Sequence, residues 1–388
     1  MADTAAGTNE RKFIYIDMDS FFVSVELLDA PHLGHCPVAV GGTAAERGVI
    51  STANYIARKF GVKSGMATAT AHRLCPDLVL LPTRFEVYEA ITRKLDEIFR
   101  RYTDKVEFQS LDEAALEVTG KTCFNGSATH IAEHIRATVQ QELGLTASAG
   151  VAPLKYLAKI ASEIQKPNGM FVITPGQVRG FLDELDVRKI PGVGPKTYAL
   201  LENLGCRQCK DITEDKIPVL MRYLGVHGFY VWERCQGIEE PDEGGSDIKS
   251  VGIERTLPFD CNALCDCLAE LERLSQGLKE RIADMGDDYL ITKNLVKLKF
   301  SDFSISSTEA PANSLCQHTV QSLCRLLWDT RREGRPVRLI GLSVKVRGGD
   351  DRYGNMGTRP CAVQGTVGAS IHLIMRPVAS EHLTTDKA

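Results

Sequence analysis

The sequence predicts an α+β protein of more than one domain. Its 388 residues are enough for two or more domains with separate cores. Strand-like and helical patterns alternate up to about residue 174, a mainly helical stretch follows, and a second alternation occupies 250–347. The acidic, glycine-rich segment "EEPDEGGSDIKS" at 239–250 has the composition of a linker.

The first alternation begins with the buried-strand pattern "FIYIDM" at 13–18, followed by a helix over 20–28. We then expect short strands at 37–42 and 48–54, helices at 55–62 and 85–102, a hairpin at 105–120, a helix at 127–145, a strand at 146–152 and a helix over 154–169. Pro167 and Gly169 are expected to stop the last helix. This order predicts an α+β layer with acidic residues at its strand ends.

The later elements follow from the same patterns. "RKIPGVGPKTYALLENLG" at 188–205 predicts a helix, a glycine hairpin and a second helix. We expect strands at 250–259, 294–303 and 337–347, with helices at 263–285 and 317–333 between them. This second alternation predicts a small α/β sandwich, and residues after about 349 have the weak periodicity of a tail.

Composition restricts the class of protein. No apolar run is long enough for a transmembrane helix, and the polar start "MADTAAGTNERK" lacks the layout of a signal peptide. We therefore expect an intracellular protein without a membrane partner. Its twelve cysteines lack the paired spacing of zinc sites and are interpreted as reduced thiols. The net charge of −4 does not itself indicate nucleic-acid binding.

Two pairs of acids stand at strand ends. Asp17 and Asp19 can share one face of an extended strand, and Asp112 with Glu113 lies near the hairpin turn. Carboxylates brought together in this way repel one another unless a cation lies between them. Mg²⁺ prefers such ligands, so the acids could hold two metals for phosphoryl transfer. The alternative is that each pair marks an exposed turn.

Candidate phosphate contacts follow the acids along the chain. "STANYIARKFG" offers Ser51 and Thr52 at a helix start, and Tyr55 with Arg58 on one helical face. In "LKYLAKIA", Lys155 and Lys159 lie four residues apart and share a face as well. The alternative for both segments is an ordinary amphipathic helix with a solvated basic side.

Two features suggest DNA backbone contacts. "IPGVGPKT" is typical of a helix-hairpin-helix, in which exposed N–H groups near Gly192, Gly194 and Lys196 meet a phosphate. A plain glycine-rich turn is the alternative. A basic stripe lies between 331 and 347, and on its own it is more typical of a solvated face. Its candidate DNA contacts are Arg331, Arg332, Arg335 and Arg338.

Taken together and in order, these motifs resemble the Y family of DNA polymerases, in the branch of DNA polymerase IV and polymerase kappa. The resemblance covers about residues 11 to 347 and rests on "YIDMDSFF", "VISTANYIARKFGVKSGM", "SLDEA", "GVAPLKYLAKIASEIQKPNG", "IPGVGPKT" and "LVKLKFSDF". It implies a right-hand fold with an α/β palm, small fingers, a helical thumb and an α/β little finger. The implied bounds are palm 1–20 and 84–174, fingers 21–83, thumb 175–240, linker 241–249, little finger 250–348 and tail 349–388.

The resemblance also implies roles for single residues. Asp17, Asp112 and Glu113, with the Met18 backbone carbonyl, would hold two Mg²⁺ ions, whereas Asp19 would not ligate directly. Phe22 would be the steric gate against a 2′-hydroxyl, with Phe21 supporting the pocket. The implied triphosphate contacts are Ser51, Thr52, Tyr55, Arg58 and Lys159.

The implied activity is template-directed DNA synthesis past lesions, with low fidelity and no proofreading. Primer-template DNA and deoxynucleoside triphosphates would be the partners of a monomeric enzyme. A sliding clamp is a further possible partner, although no clear clamp-binding peptide is present in the tail. The compartment would be the cytoplasm, at the nucleoid, in a bacterium and the nucleus in a eukaryote. Two alternatives stay open: a catalytically inactive DNA-binding scaffold, and a palm-fold nucleotidyl cyclase, which would have no need for "IPGVGPKT".

Overall fold

The computed structural model describes residues 11–239, 248–286 and 289–348. The strands are β1 (Phe13–Met18), β2 (Val38–Gly41), β3 (Ile50–Ala53), β4 (Val79–Leu81), β5 (Val106–Phe108), β6 (Glu113–Glu117), β7 (Ala147–Ala152), β8 (Met170–Val172), β9 (Ser250–Cys261), β10 (Tyr289–Phe300), β11 (Ile305–Pro311) and β12 (Val337–Gly348). The helices are α1 (Phe21–Asp29), α2 (Tyr55–Lys59), α3 (Thr68–Leu74), α4 (Phe85–Phe99), α5 (Ala128–Leu143), α6 (Lys155–Ser162), α7 (Val178–Glu184), α8 (Pro195–Asn203), α9 (Ile217–Leu224), α10 (Val226–Gln236), α11 (Leu264–Ala283) and α12 (Gln317–Arg331).

The chain divides into two compact units. The first comprises Met1–Val40, Thr52–Val62 and Asp77–Glu243, and the second comprises Gly41–Ser51, Lys63–Pro76 and Gly244–Ala388. Most of the predicted linker and all of the predicted tail lie outside the described residues. Within the described ranges, no helix has the length and apolar character needed to cross a bilayer.

A five-stranded sheet in the order β5-β6-β1-β7-β8 is the centre of the first unit. Every residue of β1 and β7 is buried, which suits strands covered by helices on both faces. α6 lies so close to β7 that a Cβ on Gly150 would come within 2.0 Å of the Ala158 carbonyl oxygen. A glycine at this position therefore permits the close approach of helix and sheet.

One predicted boundary near this sheet is wrong. The helix expected over 154–169 ends at Ser162, and the chain then turns before Pro167. A residue before proline is disfavoured in the helical conformation, and Asn168 has a positive φ of 50°. The segment 163–169 is consequently a loop that leads into β8 rather than the end of a helix.

The second unit contains a four-stranded antiparallel sheet in the order β11-β10-β12-β9. Its strand β11 is an element that the sequence patterns missed. Helices α11 and α12 cover one face, where Leu274, Val296, Leu298 and Ile340 are buried in a shared core. Alternate residues of β10 are buried, so the other face carries polar side chains.

Candidate functional site

Three acidic residues meet at one end of the five-stranded sheet. β1 is its central strand, and Asp17 pairs across the sheet with Glu113, the first residue of β6. The N–H of Met18 donates to the carbonyl of Asp112 at 3.0 Å. This register brings Asp17, Asp112 and Glu113 to one place, because neighbouring antiparallel strands fix which residues face each other.

Two lysine ammonium groups pair with these acids. Lys166 Nζ lies 2.6 Å from Asp17 Oδ1 and 2.9 Å from Glu163 Oε1. Lys159 Nζ lies 2.6 Å from Glu113 Oε2. Positive charge in front of the acids reduces their mutual repulsion.

Burial dominates the protonation of the acidic cluster. It raises the pKa of Asp17 to about 8 and also raises the pKa of Asp112. Burial acts in the same direction on Glu113, but hydrogen bonds from Lys159 and Tyr15 outweigh it and lower the pKa of Glu113 below its usual value. Burial therefore favours the protonated form of Asp17, the Lys166 ammonium beside it opposes this effect, and the surroundings of Glu113 favour its ionised form.

The donor set fits a hard divalent cation. It consists of carboxylate oxygens with a backbone carbonyl beside them, which are the ligands that Mg²⁺ takes. Among the described residues, no three acidic, histidine or cysteine side chains are already arranged as metal ligands. The acid oxygens of Asp17 and Glu113 face ammonium groups instead. The site has the charge and chemistry for a divalent ion once the lysines turn away.

Asp19 is separated from the other acids. β1 ends at Met18, so Asp19 follows the strand, and its side chain is only 2% exposed. Its carboxylate accepts hydrogen bonds from Ser148 and from the backbone of Asn168 rather than facing Lys166. The two acids of "DMD" thus have different surroundings.

The two aromatic rings after the acids are both buried. Phe22 stacks on Tyr88 with a centroid distance of 4.2 Å and an angle of 10°, and its ring meets Phe85 edge-on. Phe21 lies 5.7 Å from Phe22, tilted by 48°. The Tyr88 hydroxyl donates to Glu26 Oε1 at 2.6 Å, which fixes the ring beneath Phe22. Phe22 is therefore held rigidly by its aromatic neighbours.

The candidate phosphate contacts lie on β3, α2 and α6. Ser51 and Thr52 are on β3, and Tyr55 is the first residue of α2. The Arg58 guanidinium lies 4.7 Å from the centre of the Tyr55 ring, and its Nε donates to the Ala53 carbonyl at 2.8 Å. Tyr55 and Arg58 are thus neighbours on one helical face.

The predicted glycine hairpin lies before α8. Gly192 has a φ of 90°, a conformation that favours glycine, and its carbonyl is 3.1 Å from His227 Nε2. Gly194 is the residue immediately before α8, and Lys196 is the second residue of this helix. Gly192, Gly194 and Lys196 are all exposed, so the start of α8 is open to solvent.

The basic stripe of 331–347 is divided by the fold. α12 ends at Arg331, whereas Arg332 lies over the Trp328 ring and Arg338 over the Phe303 ring. Arg335 donates through Nε to the Arg332 carbonyl at 3.0 Å and through Nη1 to the Ser304 hydroxyl at 2.7 Å. Arg335 thereby ties the end of α12 to the β10–β11 turn. Arg331 is exposed and Arg338 is half-buried.

Sequence reasoning missed two sets of cations. The sequence patterns do not single out Lys166, because they extend a helix over the loop that carries it. Lys293, Lys297 and Lys299 alternate with buried residues of β10, and Lys293 pairs with Lys345 of β12 on the same sheet face. Their spacing by two along a strand was the signal that could have revealed this basic face. Glu309 pairs with Lys293 and Lys345 there, and Glu254 pairs with Lys297.

Comparisons with known proteins agree with the predicted fold and family. The impB/mucB/samB family matches residues 16–163, and the C-terminal domain of that family matches residues 248–346. DNA polymerase IV of Citrobacter koseri is 49% identical over 337 residues, which cover 87% of this chain and 96% of the relative.

Solved structures give the same result. A Y-family DNA polymerase chimera of Dbh and Dpo4 is 30% identical and has a TM-score of 0.77, with 86% of this chain and 98% of that chain covered. An insertion ternary complex of Dbh DNA polymerase is also 30% identical, with a TM-score of 0.60 and the same coverage.

The chain therefore belongs to the Y family of DNA polymerases, in the branch of DNA polymerase IV. The predicted fold class is confirmed: it is the α+β right-hand polymerase fold, with palm, fingers, helix-hairpin-helix thumb and little finger. Enzymes of this family are metal-dependent and act on DNA and nucleotides. The inactive scaffold and the nucleotidyl cyclase are not favoured.

Proposed function

We propose that this DNA polymerase adds deoxynucleotides to a primer 3′-hydroxyl through phosphoryl transfer at Asp17, Asp112 and Glu113. By its family membership the chain is a DNA-directed DNA polymerase of translesion synthesis. The observation that carries the site assignment is the meeting of these three acids at one end of the sheet, where lysines pair with two of them. An exposed turn would not bury Asp17 or pair Asp17 and Glu113 with lysines in this way.

Two Mg²⁺ ions are the proposed cofactors. Asp17, Asp112, Glu113 and the Met18 carbonyl would hold them. When bound, the ions lower the pKa of the attacking 3′-hydroxyl and neutralise charge on the leaving pyrophosphate. The contribution of the chain is to gather the ligands before substrate arrives, since the sheet register fixes the backbone positions.

Positive side chains would bind the triphosphate. Tyr55 and Arg58 present a hydroxyl and a guanidinium from one face of α2, and Arg is suited to bidentate phosphate contacts. Ser51 and Thr52 on β3 would add hydroxyl donors. Lys159 is the predicted basic contact to the triphosphate on α6.

We propose that Lys166 also belongs to this set. Its side chain is 15% exposed, and its ammonium lies between Asp17 and Glu163. In the proposed mechanism Lys166 turns from Asp17 to a phosphate oxygen, which frees the Asp17 carboxylate to act as a ligand. Lys159 releases Glu113 in the same way. The positive charge thus stays near the acids until substrate brings its own negative charge.

The aromatic ring of Phe22 is proposed to select the sugar. Its stacking on Tyr88 prevents it from moving aside for a 2′-hydroxyl. The hydroxyl would also be buried against an apolar surface without a hydrogen-bond partner. Both effects favour deoxynucleotides.

Primer-template DNA is the proposed macromolecular partner. Gly192, Gly194 and Lys196 would contact a phosphate at the start of α8 without reading sequence. The basic face of β10 and β12, together with Arg331 and Arg338, would contact the duplex backbone.

We propose the domain bounds that the family resemblance implies: palm 1–20 and 84–174, fingers 21–83, thumb 175–240 and little finger 250–348. We further propose that the enzyme acts as a monomer, copies with low fidelity and has no proofreading activity. The cytoplasm is the proposed compartment. A binding assay with a sliding clamp would test whether such a clamp recruits this enzyme.

Primer extension on undamaged and minor-groove-adducted templates tests the function. We expect template-directed extension on both, with all extension dependent on a divalent ion. Incorporation that ignores the template base, or production of a cyclic nucleotide, would contradict the proposal. If the protein binds DNA but does not extend the primer, the result would support a catalytically inactive DNA-binding scaffold instead.

A further inference from the structure

The carboxylate of Asp19 is buried at a junction of three elements. Asp19 Oδ1 accepts from the Ser148 hydroxyl on β7 at 2.8 Å, and Oδ2 accepts from the backbone N–H of Asn168 at 2.8 Å. The Tyr55 hydroxyl at the start of α2 lies 3.4 Å from Oδ1. Ser148 is fully buried, so its hydroxyl has no access to bulk water. Both oxygens of Asp19 are therefore already engaged by donors of the protein.

The Asn168 contact fixes the loop of 163–169. Asn168 has a φ of 50°, and its carbonyl and side-chain oxygens accept from the Arg136 Nη2 at 2.6 and 2.7 Å. Arg136 Nε donates to the Ala147 carbonyl at 2.8 Å. The loop is consequently held by Asp19 on one side and by Arg136 on the other. Lys166, whose ammonium pairs with Asp17, is only two residues before Asn168.

The longer Tyr55 contact connects Asp19 to a second proposed phosphate ligand. The Tyr55 ring lies beneath the Arg58 guanidinium at 4.7 Å, so a shift of the tyrosine would also move the arginine. Asp19 is thus the single side chain among the described hydrogen bonds that contacts both Tyr55 and the loop of Lys166. Tyr55 and the Lys166 loop are far apart in the sequence, and Asp19 contacts both.

We infer that Asp19 is a positioning residue, which holds the Tyr55 hydroxyl and the Lys166 loop in place to bind the triphosphate. This inference rests on the proposed function, since it assigns Tyr55 and Lys166 to the incoming nucleotide. Asp19 would not touch the substrate or a metal ion, because its oxygens point to Ser148 and Asn168. Substitution of Asp19 should therefore weaken nucleotide binding rather than slow the chemical step.

The chain offers a graded set of substitutions. Asp19→Ala removes both acceptors. Asp19→Asn keeps an oxygen for the Asn168 N–H, and its amide can donate to the Ser148 hydroxyl, which can also accept. A positioning role predicts that the asparagine variant retains most of the function of the carboxylate, whereas a role that depends on charge does not.

Single-nucleotide insertion at saturating primer-template DNA and saturating Mg²⁺ tests the inference. We expect Asp19→Ala to raise KM for the deoxynucleotide about tenfold or more with less than about a threefold fall in kcat, and Asp19→Asn to raise KM less than about threefold. In a Tyr55→Phe/Lys166→Met background, Asp19→Ala should add less than about a twofold rise, because its targets are already gone. Thermal unfolding of each variant reports whether it is folded.

Several results would overturn the inference. An unchanged KM in a folded Asp19→Ala variant would do so, and so would equal rises in the alanine and asparagine variants. A full additional rise in the Tyr55→Phe/Lys166→Met background would also exclude action through those residues. If Asp19→Ala does not fold, Asp19→Ser, which keeps one acceptor, is expected to show the same rise in KM. Failure of the wild-type protein to extend primers would refute the proposed function, which is a separate outcome.

Discussion

Removal of the Phe22 ring tests how this site selects the sugar. The ring is 5% exposed, stacks on Tyr88 at 4.2 Å and meets Phe85 edge-on at 5.9 Å. Tyr88 cannot retreat, since its hydroxyl is bonded to Glu26 at 2.6 Å. If Phe22 has the proposed role, an entering ribonucleotide would place its 2′-hydroxyl against a fixed apolar surface. Phe22→Ala takes that surface away.

The magnitude follows from the cost of the blocked hydroxyl. A buried hydroxyl without a partner costs about 1–3 kcal/mol, and steric overlap adds to this cost. A loss of about 3 kcal/mol corresponds to roughly a hundredfold fall in the preference for deoxynucleotides. The same substitution removes core packing worth about 3–5 kcal/mol of folding free energy. The assay must therefore use a ratio, from which the folded fraction cancels.

The ratio is kcat/KM for a deoxynucleotide divided by kcat/KM for the matching ribonucleotide, in single-nucleotide insertion. Phe21→Ala is the matched control, because Phe21 is 1% exposed and also packs near Tyr88. We expect the ratio to fall in Phe22→Ala and to stay within about threefold of wild type in Phe21→Ala. An unchanged ratio in Phe22→Ala, or an equal fall in both variants, would refute the role of Phe22.

Other predictions concern ions, phosphates and DNA. Burial raises the pKa of Asp17 to about 8, and a carboxylate must lose its proton to bind a metal, so calorimetry should show divalent-ion affinity rising from about pH 6 to 8 with proton release. Affinity that is independent of pH would contradict this. Lys166→Met should raise KM for the nucleotide about tenfold, with DNA affinity unchanged; an effect on DNA affinity alone would exclude the triphosphate contact. Lys196→Ala should weaken DNA binding on all sequences and reduce the salt slope by about one, whereas sequence-dependent loss in a filter-binding titration would speak against a phosphate contact.

The acidic site was largely predictable from the sequence because strand periodicity is a local property. "FIYIDM" ends a buried strand, and the hairpin that contains Asp112 and Glu113 has recognisable strands on both sides of its turn. What the sequence could not provide was the partner of each acid. The pairing of Asp17 with Lys166 depends on where α6 ends, and that end was predicted to be at Pro167 instead of Ser162.

The surface formed by the basic stripe, unlike the acidic site, could not be predicted from the sequence. Residues near each other in the chain suggested one surface, but α12 ends at Arg331 and β12 begins at Val337, so the fold divides them. Arg335 faces backbone carbonyls at the end of the helix, where the partial negative charge attracts a cation. The cations that share a face, including Lys293 and Lys345, are brought together by strand pairing over a long sequence separation.

The most direct test of the central claim is primer extension by Asp17→Asn and Glu113→Gln, measured beside DNA affinity. Both substitutions keep the shape of the side chain and remove its charge, so folding and DNA binding should persist. We predict that extension with Mg²⁺ falls by at least about a hundredfold while the dissociation constant for primer-template DNA stays within about threefold. Extension at near the wild-type rate by either variant would contradict the assignment of these acids to phosphoryl transfer.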